Sequence, residues 1–241
     1  MNEMTDEQIR ELFGVVPHFA DQTIEKYAPD LEYVWFVTSS FWSPRASLNI
    51  LEVCGTMHPD YAGLTWRKFL AVGRRMDGNL RAFRENPKYY TESPIRCPNM
   101  IFHKIDGRTY VTEDGNHRTA IGKFYLYALE QPYIHNVMLT EDVVDWSFMK
   151  LYRQLKEIRP NWLLSVTRET TSRDDGPSWK RDFYDLKLRC SVRDGHKISE
   201  WFWTKEELEA ALPSLVAESS RPPEKALSIF SRLFKREGKQ K

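Results

Sequence analysis

The sequence predicts an α+β fold built on a mixed β-sheet. Short runs of β-branched and aromatic residues, which favour strands, alternate with longer segments in which apolar residues recur every three or four positions, the spacing of one helix face. Asp-Gly turn signals separate several of the predicted strands. With 241 residues, 41% of them hydrophobic, the chain is long enough for one large domain or two small ones.

The composition excludes several classes of protein. The formal net charge of +1 gives no bulk electrostatic reason for nucleic-acid binding. No run of about 18 apolar residues is present, so no transmembrane segment is expected. The three cysteines, Cys54, Cys97 and Cys190, are too few and too widely spaced for a disulfide framework or a Cys-x-x-Cys metal clamp. Because the N-terminus is also acidic and unlike a secretory signal, the expected location is cytoplasmic.

The chain divides into four predicted segments. A part with mainly helical patterns precedes a core of strands and one helix, and a β-hairpin with a further helix follows that core. The last segment is a basic amphipathic tail, which packs on the domain or contacts DNA, a membrane surface or a partner. The boundaries are 1–92 for the mostly helical part, 93–160 for the core, 161–216 for the hairpin and helix extension, and 217–241 for the tail.

Local patterns in the first segment predict both helices and a strand. Tyr33–Thr38 favours a buried strand, with a helix segment as the alternative, and Ser43–Arg45 favours a turn. Leu64–Met76 predicts a helix, and Asn79–Phe83 a short further helix that stops before Pro87. Arg74 and Arg75, near the end of the first of these helices, have two interpretations. They form a solvated face, or they reach a phosphate.

The core is predicted to run strand, turn, strand, loop, helix and strand. The Asp106-Gly107 pair is a hairpin signal between two short strands. A helix follows the loop as far as about Glu130, and a strand from Tyr133 to Leu139 comes next. A helix between two strands predicts a βαβ unit within the mixed sheet.

Beyond the core, the sequence predicts a helix, a loop and a second hairpin. Glu141–Ile158 has helical periodicity, and the polar run Thr170–Trp179 indicates a mobile loop. Phe183–Val192 and Lys197–Trp203 flank an Arg-Asp-Gly-His hairpin signal. A capping box beginning at Thr204 opens the helix that follows.

The stretch Val111–Ala120, with the sequence VTEDGNHRTA, joins a predicted strand to a predicted helix. Gly115 permits a sharp or left-handed backbone, and Asn116 is suited to cap the helix through its side-chain oxygen. Exposed N–H groups at the start of a helix favour phosphate binding. His117 and Arg118 add donors and positive charge there, so the stretch predicts a phosphate site.

The same stretch carries two carboxylates, Glu113 and Asp114, which suit Mg²⁺ binding or a general base. A strand-turn-helix junction of the Asp-Gly-Asn type is also common where no chemistry occurs. However, the Glu, Asp, Asn, His and Arg side chains around one glycine exceed what a helix cap requires, and burying such groups is costly. The cluster therefore predicts a functional site.

Between about Asn99 and Leu139, the chain resembles the ParB/sulfiredoxin superfamily. In that family a β-hairpin leads into a glycine-containing loop, a polar residue precedes His-Arg or Arg-Arg, and an alanine-bearing helix and a strand follow. Here the loop reads Gly-Asn-His-Arg-Thr-Ala. The resemblance implies an α+β fold with a ParB/sulfiredoxin-like mixed β-sheet core, a strand-loop-helix phosphate site, and added N- and C-terminal helices.

The resemblance also assigns roles within the loop. It implies catalytic roles for Glu113, Asp114 and His117, with Mg²⁺ held through the two carboxylates. The implied ligand is ATP or another nucleoside triphosphate. The residues that would bind its phosphates are Gly115, Asn116, His117, Arg118 and Thr119.

Two departures narrow the choice within the family. Sulfiredoxin has a cysteine before its His-Arg pair, where this chain has Asn116, and partition proteins carry a helix-turn-helix that is not evident after Arg159. The chain is more similar to the Osa-type fertility-inhibition proteins of conjugative plasmids, for which ATPase and DNase activities are expected. The resemblance thus implies a nucleotide-binding protein that hydrolyses ATP, cleaves DNA or does both, and that inhibits plasmid transfer.

Three alternatives stay open. A non-catalytic switch would use nucleotide to bind a conjugation or DNA-processing partner, and a degenerate ParB-like fold would bind no nucleotide. Gly115–Arg118 also matches the Gly-Asn-x-Arg anion hole of Fic-type AMP transferases, whose catalytic histidine lies a few residues upstream, whereas the nearest here is His103 in a predicted strand. His58, His135 and His196 show no metal-ligand spacing, so they are interpreted as structural or turn residues.

Overall fold

A mixed β-sheet with helices packed against it forms the first of two units in the computed structural model, which describes residues 3–94, 99–194 and 196–219. Within those ranges, the first unit comprises residues 3–94, 99–144 and 170–184, and the second comprises residues 145–169, 185–194 and 196–219. The predicted basic tail lies outside the described residues from position 220 onward.

The first unit contains five α-helices and six complete strands among its described residues. The helices are α1 (Asp6–Phe13), α2 (Trp66–Val72), α3 (Met76–Glu85), α4 (Lys88–Thr91) and α5 (Asn116–Ala128). The strands are β1 (Glu25–Lys26), β2 (Val37–Asn49), β3 (Val53–Thr56), β4 (Ile101–Ile105), β5 (Arg108–Val111) and β6 (Tyr133–Val144), joined by parts of β7 (Leu163–Gly176) and β8 (Trp179–Asp194).

The strand order across this sheet is β1-β3-β5-β4-β6-β2-β8-β7. The pairs β1–β3, β3–β5 and β4–β6 are parallel, and the pairs β4–β5, β2–β6 and β2–β8 are antiparallel, so the predicted α+β class and mixed sheet are confirmed. The predicted βαβ unit is wrong, because its two strands, β5 and β6, run in opposite directions. Strand β4 lies between them, antiparallel to β5 and parallel to β6. A tight turn at Asp106 and Gly107, with φ of 47° and 83°, returns β5 along one edge of β4 and leaves the other edge to β6.

The segment before residue 92 contributes three strands to the sheet, so the predicted boundary at that residue does not separate a helical part from the core. The longest of them, β2, continues through Ser43–Arg45, where the sequence predicts a turn. The pairing register of β2 with β6 shifts between Ser43 and Ala46, which marks a bulge. Pro44 is tolerated there because a bulged residue needs no N–H in the ladder.

Two further local predictions in this segment hold in part. Tyr33–Thr38 begins in a 3-10 helix, Leu31–Phe36, because the Asp30 carboxylate accepts the Glu32 N–H at 3.0 Å and starts a turn, and the strand begins only at Val37. The predicted helix Leu64–Met76 is confirmed as α2, but it ends at Val72, and the next helix, α3, begins at Met76. The interval matters because it forms an exposed turn between the two helices.

Later in the chain, strand pairing overrides two predictions. The predicted loop Thr170–Trp179 lies mostly in β7, where Arg173 and Asp182 of the neighbouring strand form an ion pair at 2.5 Å. The predicted helix Glu141–Ile158 starts later, because β6 continues to Val144. Asp145 then caps the helix by accepting a first-turn N–H at 2.9 Å.

Helix α5 lies in the core of the first unit. Ile121 and Phe124, on its predicted inward face, are fully buried. Leu129, predicted on the same face, is 39% exposed because the helix has ended at Ala128. Most of the remaining α5 residues are also buried, so the helix is surrounded rather than half-exposed.

One buried residue of α5, Lys123, is charged and was not anticipated from the helical pattern. Its side chain is only 2% exposed, and its Nζ donates to the carbonyls of Leu51 and Val53 at 2.8 and 2.6 Å. The rings of Phe19 and Trp66 lie 4.8 and 4.7 Å from Nζ. Burial lowers the pKa of Lys123 to about 7.

The second unit confirms the predicted hairpin and capping box. β8 pairs with the next strand in antiparallel fashion. The N–H of Thr204 donates to the Glu207 carboxylate at 2.8 Å, and the N–H of Glu207 donates to the Thr204 hydroxyl at 3.3 Å. No helix in the described ranges has both the length and the hydrophobicity that crossing a bilayer requires. The new elements of this unit are α6 (Trp146–Ile158), β9 (Lys197–Trp203) and α7 (Lys205–Ser219).

Candidate functional site

The predicted strand-loop-helix junction is formed by the end of β5, a short loop and the start of α5. Gly115 is the N-cap of α5 with φ of 110°, which confirms its predicted left-handed backbone. The predicted capping role of Asn116 is wrong, because Asn116 lies inside the helix and its side-chain oxygen accepts a hydrogen bond from the Thr56 hydroxyl at 2.5 Å. No side chain of the described residues caps α5, so first-turn N–H groups are left without an acceptor within the helix.

We expect Gly115→Ala to destabilise the protein by about 2 kcal/mol, because alanine at this φ is strained. A Cβ at this position would also lie 3.1 Å from Cβ of Met100. Gly78→Ala is the matched control, since Gly78 lies inside α3 with no neighbouring atom within 4 Å of an added Cβ, and we expect it to stabilise by about 0.5 to 1 kcal/mol. Urea unfolding measures the free energy of unfolding of both variants. A Gly115→Ala variant as stable as wild type would contradict the expectation that alanine is strained at this position.

Asp114 and Arg118 hold each other at the mouth of the loop. The Asp114 Oδ1 accepts the Gly115 N–H at 2.5 Å and an Arg118 N–H at 3.0 Å. The Arg118 guanidinium also donates to the Tyr89 hydroxyl at 2.8 Å and to the Asn99 carbonyl at 3.2 Å. With at least three protein acceptors and a side chain only 17% exposed, Arg118 is held in place beside Asp114.

His117 faces the α2–α3 turn rather than solvent. Its Nε2 lies 3.4 Å from the Tyr61 hydroxyl, and its ring lies beside the rings of Tyr61 and Phe69, with centroids 5.3 and 5.2 Å away. Burial lowers the pKa of His117 below its ordinary value of 6.5, and the nearby charge of Arg75 acts in the same direction. Burial therefore opposes the positive charge that the sequence predicts for His117.

These residues border a cavity of about 820 Å³ in the first unit. Five of the predicted site residues line it, and Gly115 and Thr119 do not; Thr119 is fully buried, and its N–H donates to the Gly115 carbonyl at 2.7 Å. The lining residues are His58, Tyr61, Arg74, Arg75, Asn79, Ala82, Phe83, Glu85, Asn86, Tyr89, Tyr90, Glu113, Asp114, Asn116, His117 and Arg118.

The cavity combines cations and carboxylates that have no protein partner. Arg74 and Arg75 are exposed and form no ion pair with any described residue. Glu113 and Glu85, also exposed, form none either in this part of the chain. Charged groups left unpaired around one cavity are available to a ligand, which distinguishes them from the paired Asp114 and Arg118.

A preformed metal site is absent from the described residues, since no group of three or more His, Cys, Asp or Glu side chains converges in them. Mg²⁺ commonly binds through one or two carboxylates and completes its octahedron with substrate phosphates and water. The unpaired Glu113, next to Asp114, has the hard oxygen donors for that mode of binding. The predicted metal role of these two residues therefore depends on a phosphate ligand.

The structure adds residues that sequence patterns did not assign to the site. The ring of His58, interpreted from sequence as structural, stacks on Tyr61 with centroids 4.0 Å apart and lines the cavity. Arg74 and Arg75 come from the α2–α3 turn, and Asn79 from the first turns of α3. The approach of that turn to α5 is a tertiary contact, which local sequence patterns do not encode. The Arg-Arg pair after Gly73 was therefore the one signal in the sequence.

The Fic-type alternative has no suitably placed upstream histidine among the described residues. His103 lies in β4, with Nδ1 2.5 Å from the Tyr27 hydroxyl and Nε2 2.9 Å from the Asp142 carboxylate. It is not among the residues that line the cavity. A catalytic histidine of that class would have to face the anion hole at Gly115–Arg118. The similarity to Fic-type transferases is therefore confined to the Gly-Asn-x-Arg pattern.

The resemblance to the ParB/sulfiredoxin superfamily concerns the loop before α5 and the elements around it. The order of elements around the loop agrees with the resemblance, although the sheet pairing between β5 and β6 differs from the predicted βαβ unit. The ParB/sulfiredoxin relationship therefore stays a prediction that rests on the loop motif. Comparisons of the chain with protein-family models, with curated proteins and with solved structures found no significant match.

Proposed function

We propose that the cavity at the start of α5 binds a nucleoside triphosphate, and that the protein hydrolyses it or uses the same chemistry to cleave DNA. The observation that carries the proposal is the meeting of unpaired guanidinium groups with the unpaired Glu113 carboxylate at an uncapped helix N-terminus. The volume of about 820 Å³ lies within the roughly 300 to 1,000 Å³ typical of small-molecule sites.

The chemistry is phosphoryl transfer to water. First-turn N–H groups of α5 and the guanidinium groups of Arg74 and Arg75 stabilise the negative charge on the phosphate oxygens. Glu113 orients the attacking water, whose oxygen forms a bond to the terminal phosphorus as the bond to the leaving phosphate oxygen breaks. Asp114, fixed by Arg118, keeps the loop in the geometry that this step needs. Glu113 would hold Mg²⁺, which when bound would supply further charge neutralisation at the phosphates.

The wider role follows from the resemblance to Osa-type proteins. We extend the proposal to a cytoplasmic protein that inhibits plasmid conjugative transfer, with DNA or a protein of the conjugation machinery as its partner. The free thiols of Cys54 and Cys190 are compatible with a reducing compartment. Phosphodiester cleavage in DNA would use the same water-activating carboxylate, because both reactions displace an oxygen from phosphorus.

A second candidate is the nucleotide-dependent switch without turnover. It would use the same unpaired Arg74 and Arg75 at the cavity, without activation of water by Glu113. In that case the nucleotide would change the shape of the protein and the output would be contact with a partner. Catalysis and switching differ in turnover but share the same phosphate site.

The test of the proposal is turnover by the purified full-length chain. We expect Mg²⁺-dependent release of phosphate from one of ATP, CTP or GTP, or nicking of supercoiled plasmid, and loss of either activity in EDTA. Tight nucleotide binding without release would select the switch. If the protein neither binds nor hydrolyses any of the three nucleotides, the proposal is wrong.

A further inference from the structure

We infer that the ligand phosphates are held by the turn between α2 and α3, through Arg74 and Arg75, and not by Arg118 of the loop motif. This inference rests on the proposed function, because it concerns the same cavity. It assigns the motif arginine a positioning role. The ligand class is a nucleoside polyphosphate whose phosphates, rather than its base, face this turn.

The backbone of the turn is held by hydrogen bonds on both sides. The Gly73 N–H donates to the Phe69 carbonyl of α2 at 2.9 Å. The side-chain amide of Asn79 donates to the Arg75 carbonyl at 2.8 Å, and the Asn79 N–H donates to the same oxygen at 3.2 Å. The turn therefore has a fixed position although its two arginine side chains are exposed.

The conformation of the turn is one that arginine rarely adopts. Arg75 has φ of 70° and is the N-cap of α3, where its side chain makes no capping hydrogen bond. A left-handed backbone at a residue other than glycine is uncommon and is maintained only when the surrounding contacts require it. Here the two hydrogen bonds from Asn79 to the Arg75 carbonyl supply that requirement.

The charges of the turn are also unbalanced. Arg67, also in the first unit, is neutralised by two carboxylates, since it pairs with Asp6 at 2.5 Å and with Asp21 at 2.7 Å. Arg74 and Arg75 are adjacent like charges with no carboxylate partner in the part of the chain that the structure describes. Two neighbouring guanidinium groups at the edge of a cavity suit a polyphosphate, because each can donate two hydrogen bonds to phosphate oxygens.

Arg118 is a poor alternative for direct phosphate binding. Its guanidinium already donates to Asp114, Tyr89 and the Asn99 carbonyl, and its side chain is 17% exposed. Moving it to a ligand would break its ion pair with the partly exposed Asp114 carboxylate and its hydrogen bond to the Tyr89 hydroxyl. Arg118 thus acts through Asp114, whereas the guanidinium groups without a carboxylate partner among the described residues are those of Arg74 and Arg75.

Calorimetric titration of the full chain separates the two assignments. The probes are ATP, CTP, GTP, the corresponding nucleosides, and inorganic tripolyphosphate, and the variant is the double substitution Arg74→Gln with Arg75→Gln. We expect the nucleotide that binds wild type, and tripolyphosphate, to bind the variant about 30-fold more weakly. The affinity of the nucleoside should not change, since it carries no phosphate.

The matched control is Arg81→Gln with Arg84→Gln, because these two arginines are exposed on α3 but do not line the cavity. It removes the same net charge and should leave both affinities within about twofold of wild type. Equal losses in the two double variants, or wild-type affinity in the Arg74 and Arg75 variant, would overturn the inference while leaving nucleotide binding intact. Absence of nucleotide and tripolyphosphate binding in wild type would instead overturn the proposed function as well.

A second measurement uses the wild-type protein alone. Because exposed guanidinium groups are screened by salt, tripolyphosphate affinity should fall steadily as potassium chloride is raised, and the nucleoside affinity should stay constant. A tripolyphosphate affinity that does not depend on salt would contradict binding by two exposed arginines.

Discussion

Glu113→Ala is expected to reduce nucleotide hydrolysis by at least about 100-fold, the typical contribution of a positioned acid or base. Glu113 is exposed, lines the cavity and has no partner among the described residues, so its removal costs little packing. The fold should therefore survive, with an unchanged circular dichroism spectrum and unfolding midpoint. Phosphate release at saturating nucleotide is the measurement. Glu11→Ala is the control, since Glu11 is an exposed carboxylate of α1 outside the cavity.

Arg118→Ala should reduce turnover to a similar extent by a different route. Without its guanidinium, Asp114 loses the partner at 3.0 Å that fixes it beside Gly115. Arg118→Lys keeps a positive charge near Asp114 but loses the forked contacts to Tyr89 and Asn99, so it should recover part of the activity. Wild-type rates in both Glu113→Ala and Arg118→Ala would contradict the proposed mechanism.

The second large effect concerns the buried Lys123. Its pKa is lowered to about 7, whereas the unfolded chain binds the proton up to about pH 10.5. Between those values the unfolded state holds more protons, so stability rises with pH and the cost of burial grows as pH falls. Relative to Lys123→Met, which cannot titrate, wild type should gain about 2 to 3 kcal/mol in unfolding free energy between pH 7 and pH 9.

Urea unfolding of both proteins at pH 7, 8 and 9 measures this difference. Taking the difference between wild type and variant cancels other groups that titrate in the same interval. Lys150→Met, at an exposed position of α6, should show a difference from wild type that hardly changes with pH. A pH-independent difference for Lys123→Met would mean that the lysine stays charged in the folded protein, held by the carbonyls of Leu51 and Val53 and the two aromatic rings.

The parts of the fold that depend on local sequence were predictable. The left-handed backbone at Gly115, the tight turn at Asp106-Gly107 and the capping box at Thr204 each depend on a few neighbouring residues, and each is confirmed. The mixed sheet also followed from the pattern of short apolar runs. Its pairing did not, because the tight turn that places β4 between β5 and β6 decides which edge remains free for a distant strand.

The candidate site was predictable only on the side of the loop motif. Glu113 to Arg118 are contiguous, so their convergence at a helix start needed no long-range information. The roles of two of them changed once tertiary contacts were known, because Asn116 bonds to Thr56 and Arg118 is occupied by Asp114 and Tyr89. The opposite wall of the cavity comes from residues 58–90, whose approach to α5 no local pattern encodes.

Calorimetric titration of the wild-type protein with ATP, CTP and GTP, with and without Mg²⁺, shows whether the cavity is a nucleotide site. We predict that one of these nucleotides binds, that Mg²⁺ strengthens its binding, and that the nucleotide competes with tripolyphosphate for the same cavity. If none of the three binds, the cavity is not a nucleotide site, and its unpaired arginines and Glu113 would have to be assigned to a different ligand.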